Sequence, residues 1–126
     1  MTAPNLFLLY VSDAEASTAF YAELFAIDPV FVTPRYVAFE VAPGVLFSLW
    51  SGLDGRDAAA STNPATPRTS EVGLMLEGGP ERIDEVFAQW RGMGARVVEA
   101  PHDAVFGRTF VIADPDGNLV RVCPRD

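Results

Sequence analysis

The chain has 126 residues, of which 49% are hydrophobic and 21% charged, a composition typical of one folded domain and not of a disordered chain. Seventeen acidic residues outnumber nine basic ones, all of them arginine, so the formal charge of -8 argues against a surface that neutralises nucleic-acid phosphates. The single Cys123 excludes an intramolecular disulfide, and no apolar run is long enough for a membrane helix. Because the N-terminus also lacks the features of a signal peptide, we expect a cytoplasmic protein with neither a nucleic-acid nor a membrane partner.

The first part of the chain predicts a strand, a helix and three more strands. The helix is predicted to begin at the capping-box sequence Ser12-Asp13-Ala14-Glu15 and to end before Asp28-Pro29. Its buried stripe is predicted from apolar residues at helical spacing, namely Ala16, Ala19, Phe20, Leu24 and Phe25. The predicted strands are 6–11, 30–33, 36–41 and 45–50, and Pro43-Gly44 has the length and composition of a hairpin turn between the last two.

The same order of elements follows a linker at 51–69 that is rich in small and turn-forming residues. A strand is predicted at 71–76, and a helix with Pro80 in its first turn is predicted to end at Gly92 or Gly94. The buried stripe of this second helix is Ile83, Val86, Phe87 and Trp90. Three strands are predicted at 96–99, 106–113 and 119–123, and the last two are joined by the turn 114–118, whose Asp114 and Asp116 we interpret as turn residues.

Matching positions in the two halves indicate an internal repeat. Phe20 corresponds to Phe87 and Val30 to Val97, each 67 residues apart. The sequence therefore predicts an α+β fold in a single domain, 1–126, built from two tandem βαβββ units at about 5–50 and 70–124. We expect the mixed sheets to form a barrel-like arrangement that encloses a cleft, the default position for a binding site.

Several motifs resemble a known superfamily. Val11-Ser12-Asp13, Phe20-Tyr21 and the 114–118 turn are similar to the vicinal oxygen chelate superfamily, which includes glyoxalase I, extradiol dioxygenases, fosfomycin-modifying enzymes and bleomycin-binding proteins. The longer stretches 29–39, 49–52, 106–110 and 121–124 resemble its phenazine-antibiotic resistance branch, whose members bind the drug without destroying it. The resemblance covers the whole chain, and it also implies a homodimer.

The resemblance also bears on metal binding. It places the metal-ligand positions of the superfamily at about Leu6, Ser48, Glu71 and Arg121, where only Glu71 offers a good ligand. Arg121 would put a permanent cation at a ligand position, so we expect no metal, no other cofactor and no catalytic residue. His102 is expected on a polar connection after Pro101, away from these positions.

Strand alternation predicts which side chains line the cleft. Tyr36 and Trp50 would stack on a flat ligand, Met75 would adapt to its shape, and Gly73 would let a ring approach the backbone. Arg121, or Arg108 near the mouth, would pair with a ligand carboxylate. The full predicted ligand-binding set is Tyr36, Ser48, Trp50, Glu71, Gly73, Met75, Arg108 and Arg121. The competing interpretation is structural, with Trp50, Tyr36 and Met75 as ordinary core residues and Arg108 as a surface bridge between strands.

The leading functional hypothesis is antibiotic resistance by non-covalent binding and sequestration of a planar aromatic, phenazine-like drug. One alternative is a metal-dependent glyoxalase or dioxygenase-type enzyme, and another is a metal-free enzyme that acts on an aromatic ligand. A regulatory or structural dimer with a vestigial cleft is the remaining possibility.

Overall fold

A computed structural model describes residues 1–52 and 63–125. The chain divides into two compact units, Met1–Pro64 and Ala65–Asp126. Most of the predicted linker, residues 53–62, lies outside the described residues. No helix in the described part of the chain is long and apolar enough to cross a membrane.

Unit 1 contains one helix and a four-stranded mixed sheet. Its elements are β1 (Leu6–Tyr10), α1 (Ala14–Phe25), β2 (Phe31–Val32), β3 (Tyr36–Ala42) and β4 (Val45–Trp50). The strand order is β1-β4-β3-β2, in which β1 is parallel to β4 and the remaining pairs are antiparallel.

Unit 2 repeats this topology. Its elements are β5 (Glu71–Leu76), α2 (Gly79–Gly92), β6 (Arg96–Ala104), β7 (Gly107–Ala113) and β8 (Leu119–Pro124). The strand order is β5-β8-β7-β6, again with one parallel pair, β5 and β8. The predicted α+β class and the two βαβββ units are therefore confirmed.

One face of each sheet packs against the helix of its own unit. In unit 1, Tyr21 is fully buried and its ring makes an edge contact with Phe47 of β4 at 5.0 Å. In unit 2, Trp90 and Phe87 of α2 make edge contacts with Phe110 of β7 at 5.7 and 5.2 Å. The opposite face of each sheet is called its helix-free face below.

The predicted stripe of α1 is displaced around the helix. Ala16 and Ala19 are exposed, whereas the buried positions are Ala14, Ser17, Tyr21 and Leu24. Hydrophobicity alone favoured the alanines and Phe20, but the large ring of Tyr21 and the small Ser17 fit better against the sheet. By contrast, Ile83, Val86 and Trp90 of the α2 stripe are buried as predicted.

The start of α1 also differs from the predicted capping box. Asp13, not Ser12, is the N-cap residue, and its Oδ1 accepts hydrogen bonds from the backbone N–H groups of Glu15 and Ala16 at 3.0 and 3.2 Å. A carboxylate satisfies these otherwise unpaired groups and also interacts favourably with the helix dipole.

The strand β6 is longer than predicted, and it contains two irregularities. Its register with β7 shifts between Val97 and Glu99 and again between Glu99 and His102. The prediction that His102 lies on a connection is wrong, since His102 pairs with Thr109 inside the strand.

The turn before β8 is confirmed, and Asp114 organises it. Asp114 is buried, and its Oδ1 accepts hydrogen bonds from the backbone N–H groups of Asp116 and Asn118 at 2.9 and 2.8 Å. The side-chain amide of Asn118 donates to Asp114 Oδ2 at 3.0 Å. These contacts support the interpretation of the two aspartates as turn residues.

Candidate functional site

The helix-free face of unit 1 carries an aromatic cluster. Tyr36 pairs with Trp50 in the antiparallel β3–β4 register, and their ring centroids are 6.3 Å apart with the planes inclined at 64°. Phe31 of the edge strand β2 lies on the other side of Tyr36, with its ring centroid at 6.1 Å. Trp50 is half-buried and Phe31 is 55% exposed, so part of this aromatic surface is accessible.

Ser48 holds the ring of Tyr36 in place. The hydroxyl groups of Tyr36 and Ser48 are 2.9 Å apart and hydrogen-bonded, and Ser48 is fully buried. Alternation along β4 explains this arrangement, because Ser48 and Trp50 share one face while Phe47 and Leu49 point toward α1. The predicted residues Tyr36, Ser48 and Trp50 are thus brought together in unit 1.

The helix-free face of unit 2 carries an ion-pair network centred on Arg121. Its Nε donates to Glu71 Oε1 at 2.5 Å, its Nη1 donates to Thr109 Oγ1 at 3.1 Å, and its Nη2 lies 3.8 Å from Glu99 Oε1. The guanidinium carbon also lies 5.4 Å from the ring centroid of Phe106. The hydrogen bond to Glu71 is the largest cause of the raised pKa of Arg121. Burial opposes it, and the charges of Glu71 and Glu99 raise the pKa further, so this side chain stays charged.

Gly73 and Met75 lie on the same face of β5 as Glu71. Gly73 pairs with Arg121, and Met75 pairs with Cys123, in the parallel β5–β8 register. Met75 is 61% exposed, so it is not a core residue of its unit. Glu71, Gly73, Met75 and Arg121 are therefore brought together in unit 2.

Arg108 is the one predicted site residue that does not lie on the helix-free face of its sheet. Arg108 lies on the same side of β7 as Phe110, the side that faces α2. Its Nε donates to Asp84 Oδ1 of that helix at 3.0 Å. A second carboxylate, Asp103, lies 3.5 Å from its Nη1. Arg108 thus connects the sheet to its helix, which is close to the structural interpretation considered from the sequence.

Both arginines expected to pair with a ligand carboxylate are already paired within unit 2. Each contacts two carboxylates, Asp84 and Asp103 for Arg108 and Glu71 and Glu99 for Arg121. A ligand anion would have to displace a neighbouring carboxylate or lie beside it. The expected carboxylate contact therefore has no support in the geometry.

The side chains at the expected metal-ligand positions do not fit a metal ion. Leu6 has no donor atom, the Ser48 hydroxyl is bonded to Tyr36, and Glu71 is bonded to the cation Arg121. A divalent ion needs several converging anionic or neutral donors, whereas Arg121 offers a positive charge. Within residues 1–52 and 63–125, no three His, Cys, Asp or Glu side chains form a group that could hold a metal ion.

Four residues of the unit 2 network were not predicted as site residues from the sequence. Thr109 and Glu99 contact Arg121 from β7 and β6, and Phe106 contacts it from the β6–β7 turn. His102 contacts Glu99, and a register shift of β6 lies between these two residues. Sequence reasoning also missed a pocket of about 480 Å³ in unit 1, at the start of α1. It contains none of the predicted site residues and is lined by Asp13, Glu15, Thr18, Val32, Thr33, Pro34 and Val37.

These features agree with a comparison against known families. The model of the Glyoxalase/Bleomycin resistance protein/Dioxygenase superfamily matches residues 3–122. The chain belongs to this superfamily. Membership agrees with the two βαβββ units and with the resemblance found in the motifs of the sequence.

Individual known proteins show how far the similarity extends. The chain is 48% identical over 126 residues to the phenazine antibiotic resistance protein EhpR of Enterobacter agglomerans, covering 98% of this chain and 92% of that one. The solution structure of a protein from Agrobacterium tumefaciens is 31% identical, with a TM-score of 0.76 and coverage of 100% and 99%. The fosfomycin resistance protein FosX of Listeria monocytogenes shares the fold at 17% identity, with a TM-score of 0.75 and coverage of 100% and 95%.

Proposed function

We propose that this protein confers antibiotic resistance by binding and sequestering a planar aromatic, phenazine-type drug without chemical change. The observation that carries the proposal is the aromatic cluster of unit 1, in which Tyr36 is fixed by a buried hydroxyl and Trp50 remains partly accessible. The 48% identity to a phenazine antibiotic resistance protein supports the choice of ligand class.

The residues of the cluster suit a flat, electron-poor ring. An aromatic ring bound by stacking gains about 0.5–1.5 kcal/mol per contact beyond the burial of its area. Tyr36 loses little freedom on binding because Ser48 already orients it, and a preorganised site loses less entropy when the ligand binds. Unfavourable donor chemistry at the expected metal positions supports binding over metal-dependent turnover.

The two tryptophans of the chain allow a direct test. Trp90 is buried between α2 and β7, whereas Trp50 is half-buried in the aromatic cluster. We expect a phenazine to quench the fluorescence of the wild type and of Trp90→Phe, but not that of Trp50→Phe. Quenching that persists in Trp50→Phe and vanishes in Trp90→Phe would place the ligand elsewhere.

Product analysis separates sequestration from the enzymatic alternatives. After incubation with protein, a phenazine is expected to be recovered unchanged by mass spectrometry, with or without added divalent metal or a nicotinamide reductant. A new product that depends on metal would support the metal-dependent enzyme, and one that depends on reductant would support the metal-free enzyme.

The predicted homodimer is tested separately by light scattering of the protein as it elutes from a size-exclusion column. The predicted cytoplasmic location is tested by cell fractionation.

A further inference from the structure

The aromatic cluster of unit 1 lies where the backbone ladder of its sheet ends. Tyr36 and Trp50 form the last pair of the β3–β4 ladder. The edge strand β2 contributes two paired residues, one of which is Phe31. The ends of strands open most readily, because they have the fewest neighbouring hydrogen bonds. A fixed cluster at this place therefore needs further contacts that hold the ends of the strands.

The side chain of Thr33 makes such contacts with Tyr36. The backbone N–H of Tyr36 donates to Thr33 Oγ1 at 2.8 Å, and the Thr33 hydroxyl donates to the backbone carbonyl of Tyr36 at 2.8 Å. The backbone N–H of Thr33 donates to the same carbonyl, also at 2.8 Å. Both backbone groups of Tyr36 are thus held by one residue, across the turn residues Pro34 and Arg35.

The hydroxyl of Thr33 replaces a backbone acceptor in this turn. In an ordinary four-residue turn, the N–H of the fourth residue donates to the backbone carbonyl of the first. Here the N–H of Tyr36 donates to the side-chain oxygen of Thr33 instead. A bond to a side chain is lost when that side chain is substituted, whereas a bond to a backbone carbonyl would remain. The backbone position of Tyr36 therefore depends on the residue type at position 33.

The two ends of the Tyr36 side chain are held by different residues. Ser48 is hydrogen-bonded to the phenolic hydroxyl at 2.9 Å, and Thr33 holds the backbone from which the ring extends. A ring that is fixed at one end can still pivot about that end. Contacts at both ends together set the orientation of the ring relative to Trp50, whose ring centroid is 6.3 Å away.

We propose that Thr33 is a positioning residue of the phenazine-binding surface, which acts through Tyr36 and does not contact the ligand. Its hydroxyl holds the backbone of Tyr36 in the position from which the ring stacks on a flat ligand beside Trp50. The inference rests on the proposed function, because it requires that the ligand contact Tyr36. It adds a residue outside the aromatic cluster whose side chain sets the affinity.

Two substitutions at position 33 separate the hydroxyl from the rest of the side chain. Thr33→Val removes the hydroxyl and keeps the shape, whereas Thr33→Ser keeps the hydroxyl. Thr33→Val should weaken the binding of phenazine by about two- to tenfold, because the ligand must then immobilise one more side chain. Thr33→Ser should bind like the wild type.

The measurement is the quenching of Trp50 fluorescence by unsubstituted phenazine in a Trp90→Phe background, at a temperature where circular dichroism shows every variant to be folded. Equal affinity of Thr33→Val and the parent protein, or an equal loss in Thr33→Val and Thr33→Ser, would overturn the inference and leave the proposed function in place. Absence of quenching in the parent protein itself would overturn the proposed function.

Ser51 provides a matched control beside the same turn. Its backbone N–H and its Oγ both donate to the backbone carbonyl of Arg35, at 2.9 and 3.4 Å. Ser51→Ala therefore removes a long hydrogen bond and leaves the shorter backbone bond to the same atom, so the affinity for phenazine should not change. A loss as large as that of Thr33→Val would show that any hydroxyl lost near this turn weakens binding, and it would contradict the specific role of Thr33.

A double-mutant cycle separates positioning from a general loss of structure. If Thr33 acts through Tyr36, Thr33→Val should not weaken binding further once the ring is absent, so its effect should vanish in a Tyr36→Leu background. A loss of affinity that persists in this background would assign Thr33 a structural role and overturn the inference. If Tyr36→Leu does not fold or binds too weakly to be measured, the comparison of Thr33→Val with Thr33→Ser and Ser51→Ala decides the matter.

Discussion

The hydrogen bond between Tyr36 and Ser48 links stability to the proposed binding surface. Ser48 is fully buried, so its hydroxyl depends on Tyr36 for a partner. A buried hydroxyl without a partner costs more than a hydrogen bond gains, because it has lost its water. The same contact also orients the aromatic ring that we propose to stack on the ligand.

This asymmetry predicts an unusual double-mutant result. Tyr36→Phe should lower the free energy of unfolding by about 1–3 kcal/mol, because it strands the Ser48 hydroxyl. Adding Ser48→Ala to that variant should restore part of the loss, since neither hydroxyl then remains. Urea unfolding measures all three variants, and a double mutant less stable than Tyr36→Phe alone would contradict this account.

Some contacts between side chains of the candidate site could be predicted from the sequence, and others could not. Period-two alternation was sufficient to place Tyr36, Ser48 and Trp50 together, because β3 pairs regularly with β4 from Tyr36 to Glu40. It did not determine the main partners of Arg108 and Arg121, since the ion pairs with Asp84 and Glu71 join residues far apart in the chain. A long charged side chain can reach several neighbours, and only the fold decides which one it meets.

At the scale of single elements, the start of α1 depends on one side chain. Asp13→Ala should destabilise the protein by about 0.5–2 kcal/mol, because two backbone N–H groups lose their acceptor. The matched control is Ser12→Ala, which should cost less because Ser12 is not the N-cap residue. Thermal unfolding measures the loss of stability in both variants. A larger loss in Ser12→Ala than in Asp13→Ala would support the capping box predicted from the sequence.

The β6–β7 turn requires a glycine at position 107. Gly107 has φ +108°, and an added Cβ would lie 2.8 Å from Cγ of Pro124. Gly107→Ala should therefore lower the free energy of unfolding by about 1–3 kcal/mol. Gly73→Ala is the control within the same unit, and chemical denaturation should show little change or a gain in stability for it, because its backbone is unstrained.

Elements with strong local signals were predicted most accurately. The bounds of β4 and β5 match the predicted strands, and the Asp-Pro-Asp-Gly-Asn turn forms as expected. The N-cap of α1 was displaced by one position because Ser12 and Asp13 are both good capping residues and adjacent. The length of β6 was missed because its register shifts interrupt the alternation from which strands are inferred.

For the molecule as a whole, the internal repeat was the main basis for predicting the topology. Two segments of similar length with matching helices and turns imply similar topologies, and both sheets have the same strand order. The repeat does not reveal how the two halves have diverged in chemistry. The helix-free face is aromatic in unit 1 and charged in unit 2, a difference that only side-chain contacts make visible.

The part of the chain that the structure describes contains no suitable donor set, which leads to a prediction about metals. Treatment with EDTA should leave both the thermal midpoint and the affinity for phenazines unchanged, because neither depends on a bound ion. Stoichiometric Zn²⁺, Mn²⁺ or Ni²⁺ should likewise leave the midpoint unchanged, whereas a ligand that binds only the native state raises it. A rise of several degrees with one of these ions, measured by scanning calorimetry, would reopen the metal-dependent alternative.

The two register shifts in β6 also have a consequence for how the protein tolerates change in length. Glu99 and His102 are three positions apart, so perfect pleating would send them to opposite sides, yet both reach the same surface. Removing a single residue such as Ala100 would reverse the direction of every side chain on one side of the deletion. In this strand, spacing matters more than residue type, and one-residue insertions or deletions should be more damaging than most point substitutions.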